Sequence, residues 1–214
     1  MKNLLKKEFL LSFHPTAAIF VAMAAMILIP DYPYYVAFFY GGLAVFFTCI
    51  NGRENNDVFF SAMLPIRKSE IVRARYLYVL FVELAQIVIA IPFTIIRTGY
   101  DMPNTVGMDA NMAMFGIALI ILGLFNLVFF AIYYKNVKKP GVAAIVASVV
   151  YFVVMSIAEV LVHIIPFLRD VIDTPDPLFW GYKLIFLGIG LVLYAVLTLI
   201  SFFNSVKNFA KQDI

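Results

Sequence analysis

The sequence is short of charge. Asp, Glu, Lys and Arg make up 14% of its 214 residues, while 64% are hydrophobic. A water-soluble domain carries roughly 25% charged and 45–50% apolar residues, so too little charge is present to cover a water-facing surface. Cysteine is nearly absent: Cys49 stands alone in an apolar run, which excludes a disulfide framework. Histidine is limited to His14 and His163. No HExxH pattern, mid-span aspartate pair or Ser/His dyad is present, and the stretch AEVLVH supplies one Glu and one His, too few for a catalytic zinc. A phosphate-cradling GxxxxGKS or GxxxxGKT loop is also missing. The chain is therefore not expected to be an enzyme or to hold a metal or cofactor. If ATP powers it, ATP and Mg are bound by another chain. No internal repeat is visible, which argues against an inverted-repeat secondary transporter.

What remains is apolar sequence, with a mean hydropathy of +0.95. It divides at charged and proline-rich clusters into six runs: 15–29, 34–51, 74–96, 112–134, 142–168 and 182–206. A spanning helix needs about 20 residues. The last four runs meet that length, the second is slightly short, and the first is marginal. The reading is an all-α, polytopic membrane protein with six transmembrane helices, residues 1–214 forming one transmembrane domain. The N-terminus has a basic start but no small-residue cleavage site, so the first span is read as an anchor.

Cation placement predicts the orientation. Lys2, Lys6, Lys7, Arg53, Arg67, Lys68, Arg73, Arg75, Lys135, Lys138, Lys139, Lys207 and Lys211 fall on one side. Only Arg97, Arg169 and Lys183 fall on the other, with Asp31, Asp101, Asp109, Asp170, Asp173 and Asp176. Cytoplasmic loops are rich in Lys and Arg, so both termini are expected in the cytoplasm, across a bacterial plasma membrane. This placement accounts for the net charge of +3 without any nucleic-acid partner. Tyr32, Tyr34, Tyr35, Tyr100, Trp180 and Tyr182 mark the outer interface, and Tyr76, Tyr133 and Tyr134 the inner one.

Three segments interrupt the runs. Residues 1–14 set Leu4, Leu5, Phe9 and Phe13 against Lys2, Lys6 and Lys7, as an interfacial helix would, although a basic flank that only orients the first span has the same composition. Residues 52–73 hold Asn55-Asn56-Asp57, whose side chains are expected to cap a short helix from about Val58 to Leu64. That helix would carry Phe59, Phe60, Met63 and Leu64 on one face and end at Pro65. Ser69-Glu70 then opens the next helix. Arg67, Lys68, Arg73 and Arg75 read individually as lipid-phosphate contacts, whereas apolar side chains on a polar loop want a partner. Residues 164–181 contain Pro166, Pro175 and Pro177 and are read as a short or re-entrant helix on the outside.

Polar groups inside the spans are few: Glu83, Gln86, Asn126, Glu159 and His163. Such groups are costly in lipid and face a bundle interior or a wet cavity. Glu83 lies ten residues beyond Arg73, roughly 15 Å along a helix, with Gln86 one turn further on the same face. Glu159 and His163 are i, i+4 neighbours near the outer end of their span. Each of these groups reads either as a lining of the pathway or interface, or as a satisfied structural residue.

The stretch LPIRKSEIVRARYL resembles a pattern in the ABC-2 type permease superfamily. Leu64-Pro65, Arg67 or Lys68, Ile71-Val72 and Arg75-Tyr76 are the matching positions. The match covers the whole chain by topology and about twenty residues by motif. The resemblance implies a small six-helix permease with type V exporter-like architecture, similar to the permeases of phenol-soluble modulin exporters. It implies a coupling helix whose contact residues here are Glu54, Asp57, Phe59, Phe60, Met63, Leu64, Arg67 and Lys68. It also implies two copies of a separate ABC ATPase subunit and a second permease copy, identical or sister. The expected cargo, moved outward, is apolar or amphipathic, such as a cytolytic or antimicrobial peptide. The 22 Phe and 9 Met suit an adaptable apolar cavity, and Ala143/Ala147 and Ala144/Ser148 suit close helix contacts. A non-transporting scaffold or sensor component that docks a cytoplasmic partner fits the same features.

Overall fold

The computed structural model describes residues 2–12, 15–100 and 104–212. Phe13, His14 and Asp101 lie outside the described residues. Among those described there is no strand. Helix α1 spans Lys2–Lys7 and continues as a π-helical turn, Glu8–Ser12. Helix α2 spans Pro15–Ala22 and tightens into a 3₁₀ stretch, Met23–Leu28. Then follow α3 (Tyr35–Glu54), α4 (Asp57–Met63), α5 (Lys68–Gly99), α6 (Met112–Tyr133), α7 (Pro140–Ile164) and α8 (Trp180–Ala210).

Helices α3, α5, α6, α7 and α8 are long and apolar enough to cross a membrane. The candidate for the sixth expected crossing is a bent pair: Asn3–Leu10 meets Pro15–Leu28 at 81°. The 3₁₀ stretch compensates for the brevity of this first run. Eight α-helical residues rise about 12 Å, and six 3₁₀ residues at ~2 Å each add about 12 Å more. The segment thus approaches the ~30 Å hydrocarbon thickness with few residues. Ile29 is extended (φ −72°, ψ 126°) because Pro30 follows it.

Helix α6 is the central post, packed along α8 and α7. Its contacts with α8 advance in the same direction along both helices: Ser201 bonds the Asn126 carbonyl, Asn208 that of Ala131, and Gln212 that of Tyr134. The two are therefore parallel. They touch backbone to backbone at Gly116 and Gly190. A Cβ on Gly116 would sit 2.5 Å from the Phe186 carbonyl oxygen, and one on Gly190 would sit 2.3 Å from that of Gly116. Close backbone approach of this kind drives helix association in lipid, where no hydrophobic effect distinguishes helix from tail.

Aromatic rings fill the space around α6. Phe125 stacks on Phe129 at 5.7 Å, and Phe129 on Tyr133 at 5.8 Å. Ala143, Ala144 and Ala147 are buried, and Ala144 and Ser148 line the edge of an open apolar groove of about 630 Å³ between α3 and α7. The outer faces of α7 and α8 expose Ile145, Val149, Val153, Val192 and Phe203, as surfaces facing lipid do.

Helices α1 and α4 and the end of α8 lie at one end of the bundle, the terminal pole; residues 29–34, 104–111 and 165–179 form the far pole. The last of these contains one π-helical turn, Leu168–Ile172, with Ile172 buried.

Candidate functional site

Helix α4 starts differently from the expectation. Asn56 adopts a left-handed conformation (φ 51°) and makes no side-chain cap, a conformation that Asn tolerates better than most residues. The reversal sends α4 back across the ends of α3 and α5. Asp57, Val58 and Ser61 then face inward, while Phe60 is 61% and Met63 82% exposed. Phe59 does not share the outward face; it is half-buried against the core, with the Lys138 Nζ 5.4 Å above its ring. The outward apolar ridge is Phe60, Met63 and Leu64, followed by exposed Pro65 and flanked by exposed Arg53, Glu54 and Arg67. Glu54 pairs with Arg53 at 3.5 Å. Lys68 is half-buried and donates to the Gln212 carbonyl at 2.6 Å.

Beneath α4 lies a buried quartet of charges. The Arg75 guanidinium reaches Glu8 Oε2 through Nε (2.8 Å) and Asp57 Oδ2 through Nη2 (2.9 Å). Its Nη1 donates to the Thr48 carbonyl at 3.3 Å. Lys7 Nζ lies 2.6 Å from Asp57 Oδ1 and 3.2 Å from Glu8 Oε1, and donates to Ser61 Oγ at 2.9 Å. Two cations and two carboxylates cancel, so the set can sit out of water. Arg75 is thus a central tie and not a lipid-phosphate contact: it joins α5 to the N-terminal segment, α4 and α3. Phe9 adds edge contacts to Tyr78 and Phe81 at 5.3 and 5.1 Å, which holds the N-terminal segment against α5. Leu10 on its other side is exposed.

Midway along the bundle, Glu83 is 0% exposed. Both its carboxylate oxygens accept from Asn126 Nδ2, at 3.0 and 2.9 Å, and Oε2 also accepts from the Tyr194 hydroxyl at 2.5 Å. The node joins α5, α6 and α8. Gln86, three residues further along the same face, is not part of it. Gln86 donates instead to the carbonyls of Ala37 (2.8 Å) and Phe20 (3.4 Å), toward α3 and α2. Nearer the terminal pole, the Tyr76 hydroxyl bonds Ser201 Oγ at 2.6 Å and Ser205 Oγ at 2.8 Å.

At the far pole, Glu159 and His163 have separate tasks. Glu159 Oε2 accepts from the Met108 amide at 2.9 Å and fastens the α5–α6 connection to α7. His163 is exposed, with Nδ1 2.8 Å from the Glu159 carbonyl, a contact in which Nδ1–H is the donor because a carbonyl only accepts. Both residues line an open pocket of about 470 Å³ with Thr105, Val106, Val160 and Ile164. Two Thr105 bonds, from its hydroxyl and its amide, hold the Asp31 carboxyl below its ordinary range. Burial pushes those of Asp109 and Asp173 up, where Asp109 donates its amide to Asp173 Oδ1 at 2.7 Å.

A family model described as "ABC-2 family transporter protein" matches residues 3–210, nearly the full chain. The chain belongs to the ABC-2 family of transporter proteins. No match was found among the curated proteins or the solved structures. Membership makes this chain a multi-pass transmembrane permease of an ABC transporter and implies an ABC ATPase as its partner.

Several residues that organise the permease were invisible in its sequence. Nothing in the sequence singled out Glu8, and Lys7 read as one of three cations in a basic flank. Arg97 and Lys183, counted as stray outer charges, are buried. Arg97 donates to the carbonyls of Ile27 (3.3 Å) and Ile29 (3.1 Å) at the end of the first crossing. Lys183 holds the Pro175 carbonyl and Asp176 Oδ1, both at 3.1 Å, and the Thr174 carbonyl. Cations favour such helix ends because terminal carbonyls lack partners. A readable signal did exist on α8: Tyr194, Thr198, Ser201 and Ser205 recur at helical spacing in an otherwise aliphatic run.

Proposed function

We propose that this permease moves an apolar or amphipathic cargo outward, best an amphipathic peptide, as one of two permease subunits driven by two separate ATPase subunits. The ATPases bind ATP and Mg and dock on α4 at the terminal pole. Both termini face the cytoplasm of a bacterial cell. The observation that carries this reading is the ridge of Phe60, Met63 and Leu64, exposed on the pole that also holds most of the cations. Apolar side chains in that setting call for a protein partner. The ridge stands on α4, which is bonded through Asp57 to Arg75 of a crossing helix, so displacement of α4 pulls on α5. The short outer connections and the apolar groove between α3 and α7 suit an apolar cargo and leave no room for a large external receptor domain.

The test is copurification of the ATP-hydrolysing subunit with tagged permease, combined with ATP turnover in lipid. Phe60→Asp should abolish both while the permease still inserts and remains folded. Undiminished copurification and turnover would exclude α4 as the docking element. For the cargo, amphipathic helical peptides should raise ATP turnover in proteoliposomes; stimulation by small ions alone would exclude the peptide reading.

A further inference from the structure

The hydroxyl-bearing residues of α8 form a buried stripe. Tyr194, Thr198, Ser201 and Ser205 follow at intervals of four, three and four, which keeps them on one helix face. All four are buried. Tyr76 inserts from α5 and bridges Ser201 and Ser205 at 2.6 and 2.8 Å. At the inner end, the Tyr194 hydroxyl rests on the Glu83 carboxylate. Thr198 stands on the same face one turn from Tyr194 and one turn from Ser201, and its buried Oγ1 makes no hydrogen bond among the described residues. The other end, buried Ser205, lies two residues before Lys207 in the last two turns of α8, near the terminal pole.

A carboxylate in the middle of a membrane bundle must be paired, hydrated or neutral. Glu83 has no ion pair among the described residues. Its direct partners are the neutral donors Asn126 and Tyr194. The other titratable groups whose charge it feels are the phenols of Tyr151 on α7 and Tyr76 on α5. A second observation concerns Asn126. Its Oδ1 is buried and makes no hydrogen bond among the described residues, although Nδ2 of the same amide is on Glu83.

We propose that Glu83 is a proton-binding site, loaded from the terminal pole along the hydroxyl stripe of α8 and Tyr76. The ligand is a proton from water at that pole. Each hydroxyl accepts a proton on its oxygen lone pair and passes its own hydrogen to the next, and the idle Thr198 hydroxyl turns to bridge Ser201 and Tyr194. The last transfer, from the Tyr194 hydroxyl, forms an O–H bond at Glu83, and the carboxylate charge falls from −1 to zero. No electron moves and no covalent bond other than O–H changes. The node has partners for both states. The charged form accepts from Asn126 Nδ2 and Tyr194. The protonated form needs an acceptor, and a half-turn of the Asn126 amide presents its idle Oδ1.

The test is infrared spectroscopy of the full chain in lipid nanodiscs, titrated between about pH 5 and 9. A protonated-carboxyl band should appear as pH falls and be absent from Glu83→Gln. Tyr194→Phe removes a donor to the charged form and should shift the midpoint of that band upward. Ser201→Ala combined with Ser205→Ala should keep the band but slow its hydrogen–deuterium exchange about tenfold or more. No titrating band, a band that survives in Glu83→Gln, an unmoved midpoint in Tyr194→Phe, or unchanged exchange in the serine double variant would overturn the proposal. Because these readouts need neither ATPase nor cargo, they stand or fall separately from the docking of α4.

Discussion

Two buried polar clusters share helix α5 and solve the same electrostatic problem differently. At the terminal pole, Arg75 meets Glu8, Asp57 and, through them, Lys7, and formal charges cancel charges. Eight residues along the helix, Glu83 meets only amide and hydroxyl groups. The difference follows depth and connectivity. Charges near a helix entrance can be supplied by the loops and short helices gathered there, here α1 and α4. The mid-bundle is built from spans alone, and a cation placed on one of them costs about 2.5–3.5 kcal/mol on insertion scales. Thus the pole is locked by pairs, whereas the middle keeps a single group whose charge state is free to change.

The most damaging way to break this contrast is at the pole. Arg75→Ala strands Glu8 and Asp57 with Lys7 alone and should destabilise the bundle by about 3–5 kcal/mol, the typical effect of removing one partner of a buried pair. Thermal unfolding in detergent would measure this. Arg75→Lys should recover only part, since an ammonium cannot reach two carboxylates and a carbonyl from a planar fork. A normal melting temperature in Arg75→Ala would mean that the quartet is dispensable.

Next comes the seam that carries the mid-bundle node. Gly116→Val pushes α6 off the backbone of α8 and should cost about 1–3 kcal/mol or more by overpacking. The same change at Gly188, where an added Cβ meets nothing within 4 Å, should be nearly silent in the same melting assay. Equal losses at the two sites would rule out the proposed backbone contact.

The node itself should be the more forgiving cluster. Tyr194→Phe deletes one hydrogen bond, and side-chain bonds between spans average about 0.6 kcal/mol. Its effect on melting should therefore be several-fold smaller than that of Arg75→Ala. A loss as large as at the pole would erase the contrast between locked pairs and a changeable carboxyl.

The smallest effect concerns the far pole. The carboxyls of Asp109 and Asp173 are raised by burial in the folded state. Such groups add stability below their unfolded value, and that contribution is lost as pH rises through the folded one. The far pole should loosen slightly as pH climbs from about 4 upward, and Asp173→Asn should flatten the response. Hydrogen exchange at the Asp109 amide, measured against pH in both forms, would report it. A far pole that tightened with rising pH would reverse the assignment.

The sequence by itself determined the class, five of the six expected crossings and the family. Apolar runs of about 20 residues are forced by bilayer thickness, and one short motif around Pro65 pointed to the family that a match across residues 3–210 shows. Polar residues inside spans are so expensive that Glu83 and Asn126 could be singled out by type alone. Partnership was another matter. Nothing local told that Asn126 and Tyr194 would converge on Glu83 while Gln86 turned away, since helix rotation and crossing angle decide which side chains meet. Nor could Glu8 be paired with Arg75, or Lys7 with Asp57, across fifty residues or more. The outward knob also changed: spacing grouped Phe59 with Phe60, but Asn56 in a left-handed turn rolled α4 so that Phe59 faces in and Met63 out. Residue type sets the cost of burying a group along one dimension, whereas the identity of the partner that offsets that cost depends on how the helices cross.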